Sequence, residues 1–179
     1  MLPKKAATYL LETARQAIIH RVREQPFQPK PVEDQSLNVC SGCFVTIKQN
    51  GHLRGCIGNF QSQQPLYREV ATMAVAAATQ DPRFPAMKPG ELDNFSLEIT
   101  VLSPLEKITD INQIEIGTHG IYIIKGLNRG VLLPQVATEY GWDRETFLRQ
   151  TCAKAGLIDD AWQHPDTEIY IFSGQIIGE

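Results

Sequence analysis

The chain has 179 residues, 42% of them apolar, and its seventeen Lys and Arg against twenty Asp and Glu leave a net charge of −3. That length suits one domain, or one domain of two lobes, and a charge balance without a basic block argues against a broad footprint for nucleic acid. No apolar run approaches the roughly 20 residues that span a bilayer, and the lysine-bearing N-terminus has no signal-peptide core, so no membrane role, a soluble cytoplasmic protein and four reduced cysteines are expected.

From Lys4 to Glu24, apolar Ala7, Leu10, Leu11, Ala14, Ile18 and Val22 recur at helical spacing, which predicts an amphipathic helix stopped by Pro26. Pro26, Pro29 and Pro31 make the stretch to about Leu37 a surface connection without regular structure. Cys43 to Gln49 is rich in β-branched and aromatic residues, Asn50-Gly51 suits a type I′ turn, and an extended run resumes at His52. In the regular register Gln49 faces His52, Ile47 faces Arg54 and Val45 faces Cys56, which puts Cys43, His52, Arg54 and Cys56 on one face. Cys43 then becomes a diagonal neighbour of Cys56, roughly 7–8 Å away, longer than a comfortable disulfide span. Gly55 and Gly58 leave room for a backbone or a ligand to approach.

A second helix is expected from about Pro65 to Gln80, with Leu66, Val70, Met73, Ala74 and Ala77 on its buried stripe. Asp81-Pro82 must end it, and Pro82, Pro85 and Pro89 hold residues 81–90 in a stiff loop that carries Asp81, Arg83 and Phe84. Strict alternation from Phe95 to Val101 predicts a half-buried strand with Glu98 on its polar side. Two runs, His119–Lys125 and Gly130–Leu133, flank a turn at Gly126–Arg129 and form a second hairpin. Pro134 opens a short helix closed by Gly141, Asp143 caps the next, whose stripe includes Phe147, Leu148 and Cys152, and Gly156 ends it, with a helical corner at Trp142. Glu168–Ile177 is a single terminal strand, apolar on both faces and so central or covered. Hairpins outnumber any βαβ unit, and the fold class expected is α+β with mainly antiparallel sheet and flanking helices.

Five segments in this order, Leu53-Arg54-Gly55-Cys56-Ile57-Gly58, Asp81-Pro82-Arg83-Phe84, Glu98 to Pro104, Leu132 to Ala137 and Gly141-Trp142-Asp143, resemble the AMMECR domain over nearly the whole chain. That domain is component A of the AmmeMemoRadiSam system, where it is encoded with a Memo-like protein and a radical-SAM protein. The resemblance implies a compact two-lobed α+β domain, the larger lobe holding both termini, with a cleft between lobes lined in part by residues around Arg54 and Cys56. It implies no settled activity. The Memo-like partner is similar to extradiol dioxygenases, an association that favours an enzymatic pathway.

Cys56 is a candidate nucleophile, redox thiol or sulfur ligand, since an adjacent cation favours a thiolate; the alternative is a cysteine packed as a small apolar residue. Arg54 can bind a carboxylate or phosphate with its planar fork, or pair with Glu98 or Asp81. Glu98 can serve as a general base or fix Arg54, or be a solvated edge residue. Asp81 and Arg83 can touch a ligand or pair with each other, and His119 can be an acid–base group or a loop histidine bonded to backbone. Gln135 is a candidate cleft contact.

Cys40, Cys43, His52 and Cys56 spell C-x2-C-x8-H-x3-C, but His52 and Cys56 lie about 13 Å apart along an extended strand, too far to share one ion, and a site of Cys40, Cys43 and Cys56 needs a fourth ligand that the sequence does not nominate, so no metal is expected. The leading expectation is an enzyme or enzyme component that binds a small polar or anionic metabolite in the cleft, anchored by Arg54, with Cys56 or Glu98 in the chemistry. The competing one is a non-catalytic adaptor that docks a Memo-like partner.

Overall fold

The computed structural model describes residues 2–179 and divides the chain into two units, one running to Leu102 and resuming at Gln175–Glu179, the other Ser103–Gly174. The first unit opens with α1 (Lys4–Val22), which buries Ala6, Leu10, Ala14 and Ile18 and ends before Pro26, with Glu24 in the left-handed region at φ 56°. The connection that follows is not wholly irregular. One turn of helix, α2 (Gln35–Asn38), forms there because the Asp34 side chain accepts the Ser36 N–H at its N-terminus.

The first hairpin is β1 (Cys43–Gln49) and β2 (His52–Asn59), with Asn50 at φ 51° and Gly51 at φ 78°, the two positive angles a type I′ turn needs. Then come α3 (Leu66–Thr79) and β3 (Ser96–Leu102), each within a residue of the expected bounds. β1 pairs antiparallel with both β2 and β3. Its inward residues Cys43, Val45 and Ile47 are fully buried and pack with the stripes of α1 and α3. The alanines of α3 admit close approach: a Cβ on Gly55 would lie 2.1 Å from the Ala77 carbonyl oxygen, so the hairpin backbone rests directly on the helix.

The second unit holds β4 (Glu106–Ile108), too short to be read from alternation, and a hairpin of β5 (Gly120–Lys125) and β6 (Asn128–Leu132). Its loop is the two residues Gly126-Leu127, with Lys125 opposite Asn128, and not the four-residue turn expected at Gly126–Arg129. α4 (Pro134–Glu139) starts on its proline, Gly141 follows at φ 64°, and α5 (Arg144–Lys154) is capped by Asp143, whose carboxylate accepts the Thr146 N–H at 2.8 Å. β7 (Glu168–Phe172) lies between β4 and β5, so this sheet runs β4-β7-β5-β6 around a core of Ile121, Ile123, Phe147 and Leu148.

The chain then returns to the first sheet as β8 (Gly174–Gly178), completing the order β2-β1-β3-β8. The single terminal strand expected over Glu168–Ile177 is therefore two strands in two sheets, broken at Ser173. β7 is central and β8 is terminal. Among the described residues both sheets are four-stranded, the strands are interspersed with five α-helices, and the fold is α+β. No helix among the described residues is long and apolar enough to cross a membrane.

Candidate functional site

The hairpin pairs in a different register from the regular one. Gln49 faces His52 and Lys48 faces Leu53, but Ile47 then faces Gly55, Thr46 faces Cys56 and Val45 faces Ile57, so Arg54 is an extra residue in a β-bulge. A bulge on an edge strand re-aims one side chain while pairing resumes beyond it. The shared face expected for Arg54 and Cys56 accordingly does not form, and Cys43, opposite Asn59, is not a same-face neighbour of Cys56.

Arg54 turns to the segment after α3. Its Nε donates to Glu91 Oε1 at 2.7 Å, while its Nη2 donates to Glu91 Oε2 at 3.2 Å and to the Pro85 carbonyl at 3.0 Å. The guanidinium beside Glu91 holds that carboxyl below the usual carboxylate range. The salt-bridge partner is thus neither Glu98 nor Asp81. The Arg54 side chain is only 12% exposed, and its Nη1 is buried without a hydrogen-bond partner among the described residues.

The cation beside Cys56 is Arg83. β2 is the edge strand of its sheet, and the edge that faces away from β1 is met by Asp81 and Arg83. Asp81 Oδ2 accepts the Cys56 N–H at 2.8 Å, and Arg83 Nη2 reaches the Cys56 carbonyl at 3.5 Å. The two side chains bind each other through Nε–Oδ1 at 3.0 Å and Nη2–Oδ2 at 2.8 Å, so a carboxylate and a guanidinium take the place of a neighbouring strand and close the edge. Hydrogen bonding to Arg83 holds the buried Asp81 carboxyl well below its ordinary range, and the same bond pushes the Arg83 guanidinium up. Phe84 joins the two halves, with Arg54 5.9 Å and Arg83 5.6 Å from its ring centroid.

The Cys56 sulfur lies on the face opposite to α3. Pairing sets Cys56, Thr46 and Glu98 in one row across β2, β1 and β3. Thr46 Oγ1 donates to Cys56 Sγ at 3.3 Å, and Glu98 accepts from Lys48 Nζ at 3.0 Å. Cys56 is half-buried, Cys40 exposed, and Cys43 and Cys152 buried; all four are free thiols. Burial raises the Cys43 thiol above its ordinary range. Gly58 stands on the Cys56 face, where a Cβ would lie 2.4 Å from the Phe44 ring and from the Cys43 carbonyl, so the ring fills the space that a side chain would take.

His119 and Gln135 belong to the second unit. His119 Nδ1 accepts the Glu115 N–H at 3.2 Å, the backbone-bonded loop alternative, and the Gln135 side chain is exposed at the start of α4. Among the described residues no three His, Cys, Asp or Glu side chains gather as metal ligands.

One buried acid escaped the reading of the sequence. Glu69 in α3 is 2% exposed and accepts from Asn59 Nδ2 at 2.7 Å, Ser62 Oγ at 2.7 Å and Gln64 Nε2 at 2.6 Å, which ties the loop after β2 to the helix. The signal was its spacing, three residues after Leu66 and four before Met73, on the apolar stripe itself.

Protein MK0488 of Methanopyrus kandleri is 42% identical over 181 residues, covering 96% of this chain and 87% of that protein. Protein NEQ441 of Nanoarchaeum equitans is 41% identical, covering 95% and 98%. The crystal structure of an uncharacterized protein, PH0010 from Pyrococcus horikoshii, matches with a TM-score of 0.80 at 36% identity, covering 98% of this chain and 92% of that one. The AMMECR1 family model matches residues 11–177, which takes in the bulged strand, the clamp on its edge and the second hairpin alike, and the chain belongs to the AMMECR1 family.

Proposed function

We propose that the protein is an enzyme or enzyme component that takes a small polar or anionic metabolite against the outer face of its first sheet, with Cys56 as the reacting group. The observation that carries this reading is the row in which the sulfur of the half-buried Cys56 accepts a hydrogen bond from Thr46 at 3.3 Å, with the Glu98 carboxylate one strand further on. Arg83, 56% exposed at the side chain and in reach of the Cys56 carbonyl, supplies the positive charge that an anionic group arriving at this strand edge would meet. Arg54 has a supporting part in this reading, since its fork is engaged by Glu91 and Pro85. The proposed setting is the cytoplasm, in a pathway shared with a Memo-like protein and a radical-SAM protein, and the four free thiols accord with a reducing compartment.

A second reading, a non-catalytic adaptor that docks the Memo-like partner, draws on a different observation. The charged groups around the motif already have partners within the chain, Arg54 with Glu91, Asp81 with Arg83 and Glu98 with Lys48. Iodoacetamide labelling decides between the two. Chemistry at Cys56 requires it to be alkylated faster than the more exposed Cys40. Labelling in the order of exposure, together with a Cys56→Ala protein that retains partner binding and pathway function, selects the adaptor.

A further inference from the structure

The first unit carries a groove of about 560 Å³ on the flank of α3, separate from the Cys56 row. That volume falls within the range of small-molecule sites. Its floor is made of short side chains, Ala17 of α1 with Ala71 and Ala76 of α3, and its far wall is Phe27. The wall is built by local chain geometry. Glu24 takes φ 56° after α1, the Gln25 N–H donates to the His20 carbonyl at 2.8 Å, and the chain doubles back so that Phe27 packs on the His20 ring with centroids 5.1 Å apart. His20 is itself steadied by a 2.8 Å bond to the Gln16 carbonyl.

The rim is charged in one sense only. Arg21 from α1 and Arg68 from α3 both line the groove, and no Asp or Glu does, although the chain as a whole is net acidic. Neither arginine has an ion pair among the described residues. Arg68 donates from Nε to Tyr67 Oη at 3.1 Å and lies 5.7 Å from that ring, which leaves its terminal nitrogens for other acceptors. Gln64 is fixed at the rim by donating through Nε2 to Glu69 at 2.6 Å and to Thr72 at 3.2 Å, so its amide oxygen is presented in a set orientation. Two guanidiniums without carboxylates over a floor of methyl groups and an aromatic wall select an organic anion with an apolar body. The arginines recognise the carboxylate or phosphate, and the alanines and Phe27 bury the remainder.

We propose that this groove is a second binding site, for an amphiphilic organic anion held by Arg21 and Arg68. The probe is 8-anilinonaphthalene-1-sulfonate, an aromatic anion whose fluorescence rises in apolar surroundings, titrated into the full chain at neutral pH. The expected result is saturable binding at one site, weakened at least about tenfold in Arg21→Gln/Arg68→Gln and unchanged in Lys5→Gln/Arg149→Gln, with all three proteins matched in circular dichroism. Thr72→Trp, which fills the rim from an exposed position, should abolish it. Displacement by decanoate alone assigns a carboxylate amphiphile; displacement by AMP alone assigns a phosphate ester. Equal affinity of wild type and the double arginine variant, non-saturable binding, or displacement by neither competitor overturns the proposal. Cys56 alkylation, followed in the same samples, reports separately on the outer face.

Discussion

Asp81 stands in for a missing strand beside Cys56: its Oδ2 accepts the Cys56 backbone N–H at 2.8 Å while Arg83 closes on both residues. Two segments far apart in sequence, the bulged strand and the loop after α3, are held together by this contact and by the fork of Arg54 on Glu91.

The clamp gives acid stability a defined dependence. Folding depresses the Asp81 carboxyl, chiefly through the hydrogen bond from Arg83, so its contribution is whole above the unfolded value of about 3.9 and is lost as pH falls toward the lower, folded value. Asp81→Asn should lower Tm by a constant amount between about pH 5 and 7. The gap to wild type should narrow below about pH 4. Thermal unfolding followed by circular dichroism at stepped pH measures it, and a gap independent of pH would show that the charge of Asp81 contributes nothing.

Gly55 and Gly90 predict opposite outcomes for the same change. Gly55→Ala drives a Cβ to 2.1 Å from the Ala77 carbonyl, a backbone atom that cannot swing aside, and should cost about 3 kcal/mol, the upper part of the range for overpacking. Gly90→Ala meets nothing within 4 Å and should be neutral or stabilising by up to about 1 kcal/mol. Urea midpoints at unchanged m-values separate the two.

Glu69→Gln replaces an acceptor that faces three donors by an amide with its own N–H groups. Asn59, Ser62 and Gln64 cannot all be satisfied by it, and the loss should be about 1–3 kcal/mol. Amide exchange in residues 59–64 should speed up more than in β3. Uniform loss of protection would contradict a local anchoring role.

Arg54 and Glu91 should be strongly coupled. A double-mutant cycle with Arg54→Ala and Glu91→Ala is expected to give a coupling of about 1–3 kcal/mol, because the bidentate pair is largely withdrawn from solvent. Arg54→Lys should recover only part of the stability, since an ammonium cannot serve Glu91 and the Pro85 carbonyl with the same fork. Coupling near zero would return Arg54 to the role of a free anion anchor.

Much of the fold was legible where one residue type answers one backbone demand. Asn50-Gly51 announced the hairpin because few residues accept two positive φ angles, and Asp81-Pro82 marked the end of α3 for a steric reason. The break at Ser173 was hidden, because a run that is apolar on both sides looks the same whether it serves one sheet or two. The bulge was hidden for a related reason: an extra residue in an edge strand leaves composition and alternation almost untouched, yet it moves every partner beyond it by one position. That shift separated Arg54 from Cys56 and brought Thr46 to the sulfur, while Arg83 meets the Cys56 backbone carbonyl. Glu69 was missed because a carboxylate in a helix reads as a surface charge until the amides and hydroxyl around it are seen.

Arg54 is surplus to the hairpin it sits in. With Leu53 already opposite Lys48 and Gly55 opposite Ile47, excising it would leave both halves of the ladder correctly aligned. What would disappear is a hook that fastens the ribbon to the proline-rich bend at residues 85–91. The most conspicuous arginine of the motif is thus carried by the strand without belonging to it, and a shortened hairpin should still form while losing its grip on that bend.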